Sequence, residues 1–585
     1  MAPSSRDNMP TRACDACRTR KVKCDALTSV CSNCRISNLS CTFSTPPQRR
    51  GRKPKFPYHV VEADGSQSQS QLGRSTPSHR DGHLDAATSS PATGNNASID
   101  DMRGIGTAYT SPSTAGDTPS SFVTATAASG ELPPESTTER CIDLFMQFVF
   151  PIIPIIHEPT LRCQAMVMCR RVAQSATSPL PIASIAESMK TIEDVRFYSL
   201  LTALCALVAY IFPKQIFPDG DEPAAAYLSA SQRVLGQHAE EDLSNPTSSS
   251  IVIRIIHAGS LHLAGKPDLS WHMLHEAMWL VQQMRLYDEA SYDNLDPIEA
   301  RIRRRAFFHL CSADKSASLL NGRPQMLDEF HLRAPITAKF CRHEGPLLLD
   351  PGRVENEDQV ESLLLEGCKK DSDLWALASD ILFDLRLLKT WQSRSHDAAQ
   401  LSESHKLRLM EAYLQFTMLL DDLSECLASP EKRKTSDEGS TRYQRRQLWS
   451  QHTNIYITYH YLRLTLMDRF VTDGLSHLLG LNDDPTMLAW RMTEIVRDLL
   501  SVVDGLPLEV LQTSGEPCVE KIRFAGVILL KIINNAHSQQ IIERARLHVT
   551  AVLDRLSKLK SRVSENLAVN TDFSPQLEAA IAPEN

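Results

Sequence analysis

Six of the chain's fifteen cysteines fall between residues 14 and 41. They form two copies of one spacing, C-x2-C-x6-C: Cys14, Cys17 and Cys24, then Cys31, Cys34 and Cys41. Each C-x2-C turn can bring two thiolates to one metal, and all-sulfur tetrahedral coordination favours zinc. Two separate four-sulfur sites need eight ligands, and six are present. The count closes for two Zn2+ ions if two sulfurs bridge, and symmetry points to the first cysteine of each copy, Cys14 and Cys31. About forty residues cannot bury a useful apolar core. The segment offers little beyond Val22, Val30, Ile36, Leu39 and Phe43, so coordination must supply its stability. A disulfide knot is the alternative. It is disfavoured by the other nine cysteines, which are scattered among mostly apolar neighbours and read as reduced core thiols of an intracellular protein. A metallothionein-like sink would need denser cysteine.

Charge separates this head from the rest. Of 585 residues, 1–58 contain twelve Arg or Lys and three Asp, a net of +9. The whole chain sums to −8, so the remainder carries −17. A small basic head on a large acidic body points to an anionic partner for the head. The two cysteine copies differ in the same sense. Cys17 is followed by Arg18-Thr-Arg20-Lys21-Val-Lys23, and Cys34 by Arg35-Ile-Ser-Asn-Leu-Ser. Four basic residues against one assign the polyanion-facing role to the first copy. A short basic helix held by metal fits the DNA major groove, where Lys and Arg reach guanine O6 and N7.

The chain is expected to divide into a zinc module (1–45), a basic stretch (46–58), a flexible linker (59–135), an all-α regulatory domain (136–345), a helical continuation (346–562) and an acidic tail (563–585). Between Ser66 and Gly130, 22 of 65 residues are Ser or Thr, a composition that cannot offset the entropy of ordering. Beyond Ser136 apolar spacing is helical. The sequence predicts a capping box at Ser136–Glu139, with Cys141, Phe145 and Phe148 on one helix face before Pro151. Further helices are expected at about 193–212, 269–287, 297–321, 374–391, 403–427, 443–470, 486–504, 519–535 and 537–560. The helix at 297 has Asp296 as N-cap, Pro297 at N1, Glu299 at N3 and Gly322 just past its end. The uncharged run Phe197–Pro213 is marginal as a membrane span and reads as a buried helix. The N-terminus has no secretory signal. The body is expected to be two packed helical halves with a seam near 340–370.

The motif Cys14-x2-Cys17-Arg18-Thr19-Arg20-Lys21-Val22-Lys23-Cys24-Asp25, followed by Cys31-x2-Cys34-x6-Cys41, resembles the fungal Zn2Cys6 binuclear-cluster transcription factors. The loop Asp25–Val30 lacks the proline usual there. The segments Phe148–Pro159 and Arg303–Phe308, the latter continuing through Asp314-Lys315 to Gly322-Arg323-Pro324, resemble the regulatory domain of the same proteins. The resemblance implies major-groove recognition of CGG-like triplets, with Lys21 at the base-reading position and Arg18, Arg20 and Lys23 in the same DNA-facing segment.

Arg49, Arg50, Arg52, Lys53 and Lys55 form a basic run that serves nuclear import, clamps phosphates, or, as an AT-hook-like element, enters a minor groove. No convincing heptads occur between 42 and 90, which leaves monomeric binding or dimerisation through the body. No catalytic framework is present: no G-x-S-x-G, H-E-x-x-H, Walker loop or G-x-G-x-x-G. His272 and His275 read as packing or surface residues. Arg303–Arg305 are expected to form ion pairs within the body, and Asp314 and Lys315 to join that polar network. These readings converge on a nuclear, sequence-specific regulator of RNA polymerase II transcription, not an enzyme. Its expected partners are DNA, the transcription machinery or coregulators, and a small-molecule effector for which no pocket is marked. An activator is the first reading, a repressor or scaffold the second.

Overall fold

The computed structural model describes residues 13–20, 24, 30–37, 39–42, 132–176, 189, 191–214, 216–218, 221–327, 347–352, 357–394, 403–432 and 438–559. The chain falls into two compact units, Met1–Pro119 and Ser120–Asn585. No strand occurs among the described residues. In the first unit these residues form two five-residue helices, α1 (Asp15–Thr19) and α2 (Ser32–Ile36).

The second unit begins with α3 (Glu135–Leu144), which continues as a π-helical turn, Phe145–Val149. The capping box expected at Ser136 does not form. Pro134 occupies the N-cap with extended backbone and no side-chain cap, and Thr138 Oγ1 donates instead to the Pro133 carbonyl at 3.0 Å. Proline's fixed φ starts the helix before Ser136, which is therefore too far inside to cap it. The extra residue per turn in the π segment lets Phe145, Met146, Phe148 and Val149 all be buried.

After α3 come α4 (Glu158–Ala176), α5 (Ile192–Ile211), α6 (Asp221–Gln237), α7 (Ala239–Ser244), α8 (Ser248–Leu263), α9 (Pro267–Gln283) and α10 (Pro297–Asn321). Of these, α4, α6, α7 and α8 were not anticipated. α8 runs Ser-Ser-Ser-Ile-Val-Ile-Arg-Ile-Ile-His and is buried on almost every side, so it has no polar face to generate a period. α5 is long and apolar enough to cross a membrane, but 78% of its apolar window is buried among other helices, as expected of a core helix. It packs on α6 and α8. α10 starts and stops as its sequence specifies. Asp296 Oδ1 accepts from the Ile298 and Glu299 amides at 2.9 and 3.1 Å, and Gly322 ends the helix at φ 62°. Only glycine takes that left-handed turn without steric cost.

The rest of the unit comprises α11 (Glu357–Arg394), α12 (Glu403–Met418), α13 (Glu425–Ala428), α14 (Glu438–Thr472), α15 (Pro485–Gly505), α16 (Leu508–Thr513), α17 (Glu516–Asn535) and α18 (Gln539–Leu556). Three apolar cores account for most of the buried mass. The first gathers α3 to α10; the second gathers α15, α17 and α18; the third is built by α11, α12 and α14. One rod spans two of them: Val360 and Leu364 of α11 lie in the first core, Leu374 to Leu388 in the third. The central α14 packs on α11, α15, α17 and the π segment.

Polar ties across the interior are specific. Glu361 of α11 receives Arg301 Nη2 at 2.7 Å and Arg305 Nη2 at 2.5 Å, and its other oxygen accepts the Leu348 amide at 2.8 Å. Asp242 receives Arg196 and Arg254, each at 2.8 Å, and Ser250 Oγ at 2.6 Å. Burial pushes both carboxyls up, but their arginine and hydrogen-bond partners outweigh it and hold each below the usual carboxylate range. The remaining members of the arginine run are also paired within the body, Arg303 with Glu299 and Arg304 with Glu289, each at 2.7 Å. Asp314 caps a different stretch of backbone, accepting the Met326 and Leu327 amides at 2.8 Å. His272 is exposed beside Glu276, and His275 Nδ1 lies 2.8 Å from the Trp271 carbonyl oxygen. No disulfide occurs among the described cysteines, most of which are buried, Cys163 being exposed.

Candidate metal centre

The two cysteine copies fold alike because each opens a helix with a thiol. Cys14 (φ −62°, ψ 160°) is the N-cap of α1, and Cys31 (φ −66°, ψ 154°) that of α2. Each Sγ accepts the amide of the cysteine three residues on, Cys17 N and Cys34 N, at 3.4 Å. An N-cap sulfur and the side chain one turn later thus point the same way, which is what the C-x2-C spacing specifies. Cys41 returns to the cap of its own copy, its Sγ accepting the Cys31 amide at 3.4 Å. A clasp closes the unit: the Asp15 amide donates to the Thr42 carbonyl at 2.7 Å, and Thr42 Oγ1 donates to Asp15 Oδ2 at 3.1 Å. Neither residue was singled out in the sequence, where nothing local marks a contact across 27 positions.

The sulfurs fall into two groups of four, Cys14, Cys17, Cys24 and Cys31, and Cys14, Cys31, Cys34 and Cys41. Within each group they lie within 4.8 Å of one another. Cys14 and Cys31 belong to both, with 3.8 Å between them; Cys14 to Cys34 is 3.6 Å and Cys17 to Cys31 is 3.5 Å. Tetrahedral Zn–S bonds of about 2.3 Å place sulfurs about 3.8 Å apart. The donor set therefore fits zinc in spacing as well as in chemistry. It does not fit disulfides, whose sulfurs bond at about 2.05 Å.

Among the described residues of this unit the buried centre is sulfur. Cys14, Cys17, Cys31 and Cys34 are buried, while Val30 and Leu39 are exposed. Burial of closely packed thiols pushes Cys34 up to about 12 and raises Cys17 further. A cage of neighbouring thiolates is unfavourable without a cation between them.

Arg18 and Arg20 are exposed at the C-terminal end of α1, on the copy whose basic residues were expected to face DNA. Lys21, Lys23, Arg49, Arg50, Arg52 and Lys53 lie outside the described residues, as does the tail from residue 563.

Comparison with known proteins adds two domain families. Residues 12–50 match the fungal Zn(2)-Cys(6) binuclear cluster domain, and residues 142–362 the fungal specific transcription factor domain. The chain is 23% identical over 322 residues to the aurofusarin cluster transcription factor aurR2 of Gibberella zeae, covering 53% of this chain and 45% of that one. It is 25% identical over 206 residues to the transcription factor yanR of Aspergillus niger, covering 33% and 24%. Over 42 residues it is 50% identical to the maltose fermentation regulatory protein MAL33 of Saccharomyces cerevisiae, covering 7% and 9%. The chain thus spans less than half the length of each of these relatives. No solved structure matches it.

Proposed function

Because the chain belongs to the fungal Zn2Cys6 transcription factors that also carry the fungal specific regulatory domain, we propose that it is a nuclear, zinc-dependent activator that binds CGG-like triplets in double-stranded DNA. The chain is not an enzyme. The observation that carries the reading is the pair of sulfur tetrads sharing Cys14 and Cys31. Two Zn2+ ions are assigned to Cys14, Cys17, Cys24, Cys31, Cys34 and Cys41, with Cys14 and Cys31 bridging. When bound, the zinc supplies structure rather than chemistry.

Six thiolates (−6) and two zinc ions (+4) leave the centre at −2. Attraction to phosphate must therefore come from the side chains around it. Arg18 and Arg20 lie at the exposed end of α1, and Lys21 and Lys23 follow directly, between Cys17 and Cys24. A long side chain on a backbone fixed by ligands on both sides suits base reading, which is assigned to Lys21. Arg49, Arg50, Arg52 and Lys53 supply sequence-independent attraction and nuclear import. The helical body is assigned to regulation, through coregulators, a second copy of the chain or a small effector. The name of the aurofusarin cluster relative supports metabolic or secondary-metabolite genes as targets.

The test is selection of duplexes from a random library by the full-length zinc-loaded chain, with zinc content measured on the same preparation. Two zinc ions per chain and enrichment of CGG are expected. A single zinc ion overturns the binuclear assignment, and selection without CGG overturns the triplet assignment.

A further inference from the structure

The helical body contains a cavity of about 330 Å³, within the ~300–1,000 Å³ range of small-molecule sites. Its walls come from widely separated parts of the unit: the π segment, α5, α8, α9, α10, α11, α14 and the α16–α17 corner. It therefore lies where the three cores approach one another. Most of the lining is apolar, including the Trp271 and Trp375 rings.

Against that lining stand a few charged groups. Lys521 donates to Thr458 Oγ1 at 2.8 Å, lies 5.3 Å from the centroid of the Trp375 ring, and has Asp371 as its opposite charge. His262 pairs with Glu520 at 3.3 Å. Positive and negative groups thus offset each other, and an ionic ligand would find no unmatched charge. Hydrogen-bonding capacity is left over. Asp371 Oδ1 and Glu520 Oε2 are buried and have no hydrogen-bond partner among the described residues. Both are acceptors, and a buried acceptor left unmade carries the full cost of its lost hydration. Burial pushes the Asp371 carboxyl up to about 6, against the Lys521 charge and the hydrogen bonds of Thr458, Asn454 and Trp375, which favour its ionised form.

We propose that this cavity binds a small, neutral, ring-bearing molecule whose hydroxyl group donates a hydrogen bond to Asp371 Oδ1. The rings of such a molecule occupy the apolar wall between Trp271 and Trp375, and its donor satisfies an acceptor that the protein leaves open. The residues that hold it come both from the segment that matches the fungal specific domain and from the helices beyond it. Occupancy therefore ties the C-terminal helices to the rest of the body. The site stands whether or not the metal head reads DNA.

The test uses the full-length zinc-loaded chain and two probes, 2-naphthol and 2-methoxynaphthalene, which share rings and charge and differ in the donor. Binding is read by quenching of tryptophan fluorescence and by equilibrium dialysis. One 2-naphthol per chain is expected, about tenfold tighter than the methyl ether. Ser316→Phe places a ring in the cavity from α10 and should weaken 2-naphthol at least tenfold while the protein melts no lower. Asp371→Asn replaces an obligate acceptor with a group that also donates, and should abolish the preference for the hydroxyl. Equal affinity for the two probes on the unaltered chain overturns the proposal. So does unchanged 2-naphthol binding in folded Ser316→Phe.

Discussion

The two units reach order by opposite routes. The metal head has four buried cysteines at its centre, with Val30 and Leu39 turned to solvent. The helical body has three apolar cores tied together by buried arginine–carboxylate groups. On the proposed zinc assignment the head's fold is conditional on an ion, because its buried cysteines repel one another once ionised. The body's fold rests chiefly on the burial of apolar groups in those three cores.

The largest test of that contrast is zinc removal. A chelator at neutral pH should release the metal, open residues 13–42 to proteolysis and abolish DNA binding. The body's melting temperature and helical circular dichroism should hardly change, since the described residues of the head contribute two five-residue helices. Parallel loss of body structure would break the comparison.

The converse test acts on the body. Glu361→Ala leaves Arg301 and Arg305 buried without their carboxylate. It should cost about 3–5 kcal/mol in urea unfolding while zinc content stays the same. Acid acts on both units for different reasons. Glu361 and Asp242 have folded values below their unfolded ones, so their contribution is complete above about pH 5 and is lost as pH falls through the depressed folded values. The head fails in acid because protons displace zinc from sulfur. Excess zinc at mildly acid pH should therefore restore the head and leave the body's acid midpoint where it was.

A smaller effect sharpens the division within the head. Lys21→Ala should lower affinity for a CGG site by ~1–3 kcal/mol and leave binding to a scrambled duplex nearly intact. The paired titrations are run at one salt concentration. The smallest expected effect is Gly322→Ala. Nothing lies within 4 Å of the new methyl group, so only the left-handed backbone is strained, at about 1 kcal/mol. A larger loss would show that the turn after α10 does more than end a helix.

What was legible in the sequence follows from range. The cysteine spacing is local, each thiol capping the turn that presents its partner, so the two tetrads could be expected from residue counts. The ends of α10 were legible because Asp296, Pro297 and Gly322 act on adjacent backbone. α8 was not, since burial on all sides removes the polar face that marks a helix. The capping box at Ser136 was misread because Pro133 and Pro134 had already fixed where α3 begins. The cavity could not be foreseen from any window, since its walls bring together positions as distant as Phe145 and Lys521. The pairing of Arg303–Arg305 was anticipated from charge alone, but not the convergence of Arg301 and Arg305 on one carboxylate across a loop and a helix.

One tie has a consequence in time. The π segment and the turn after it are held from α14: Gln447 Nε2 donates to the Met146 carbonyl at 3.0 Å, Gln451 Nε2 to the Pro151 carbonyl, and Arg446 to Gln147 at 2.8 Å. These partners are about 300 positions apart. At ~5–20 residues per second, a ribosome delivers α14 some 15–60 s after the segment it secures. During that interval Phe145, Phe148 and Val149 have emerged without the helix that covers them. Nascent chains should engage chaperones over that window, and truncation before residue 438 should leave a product that aggregates rather than a smaller working body.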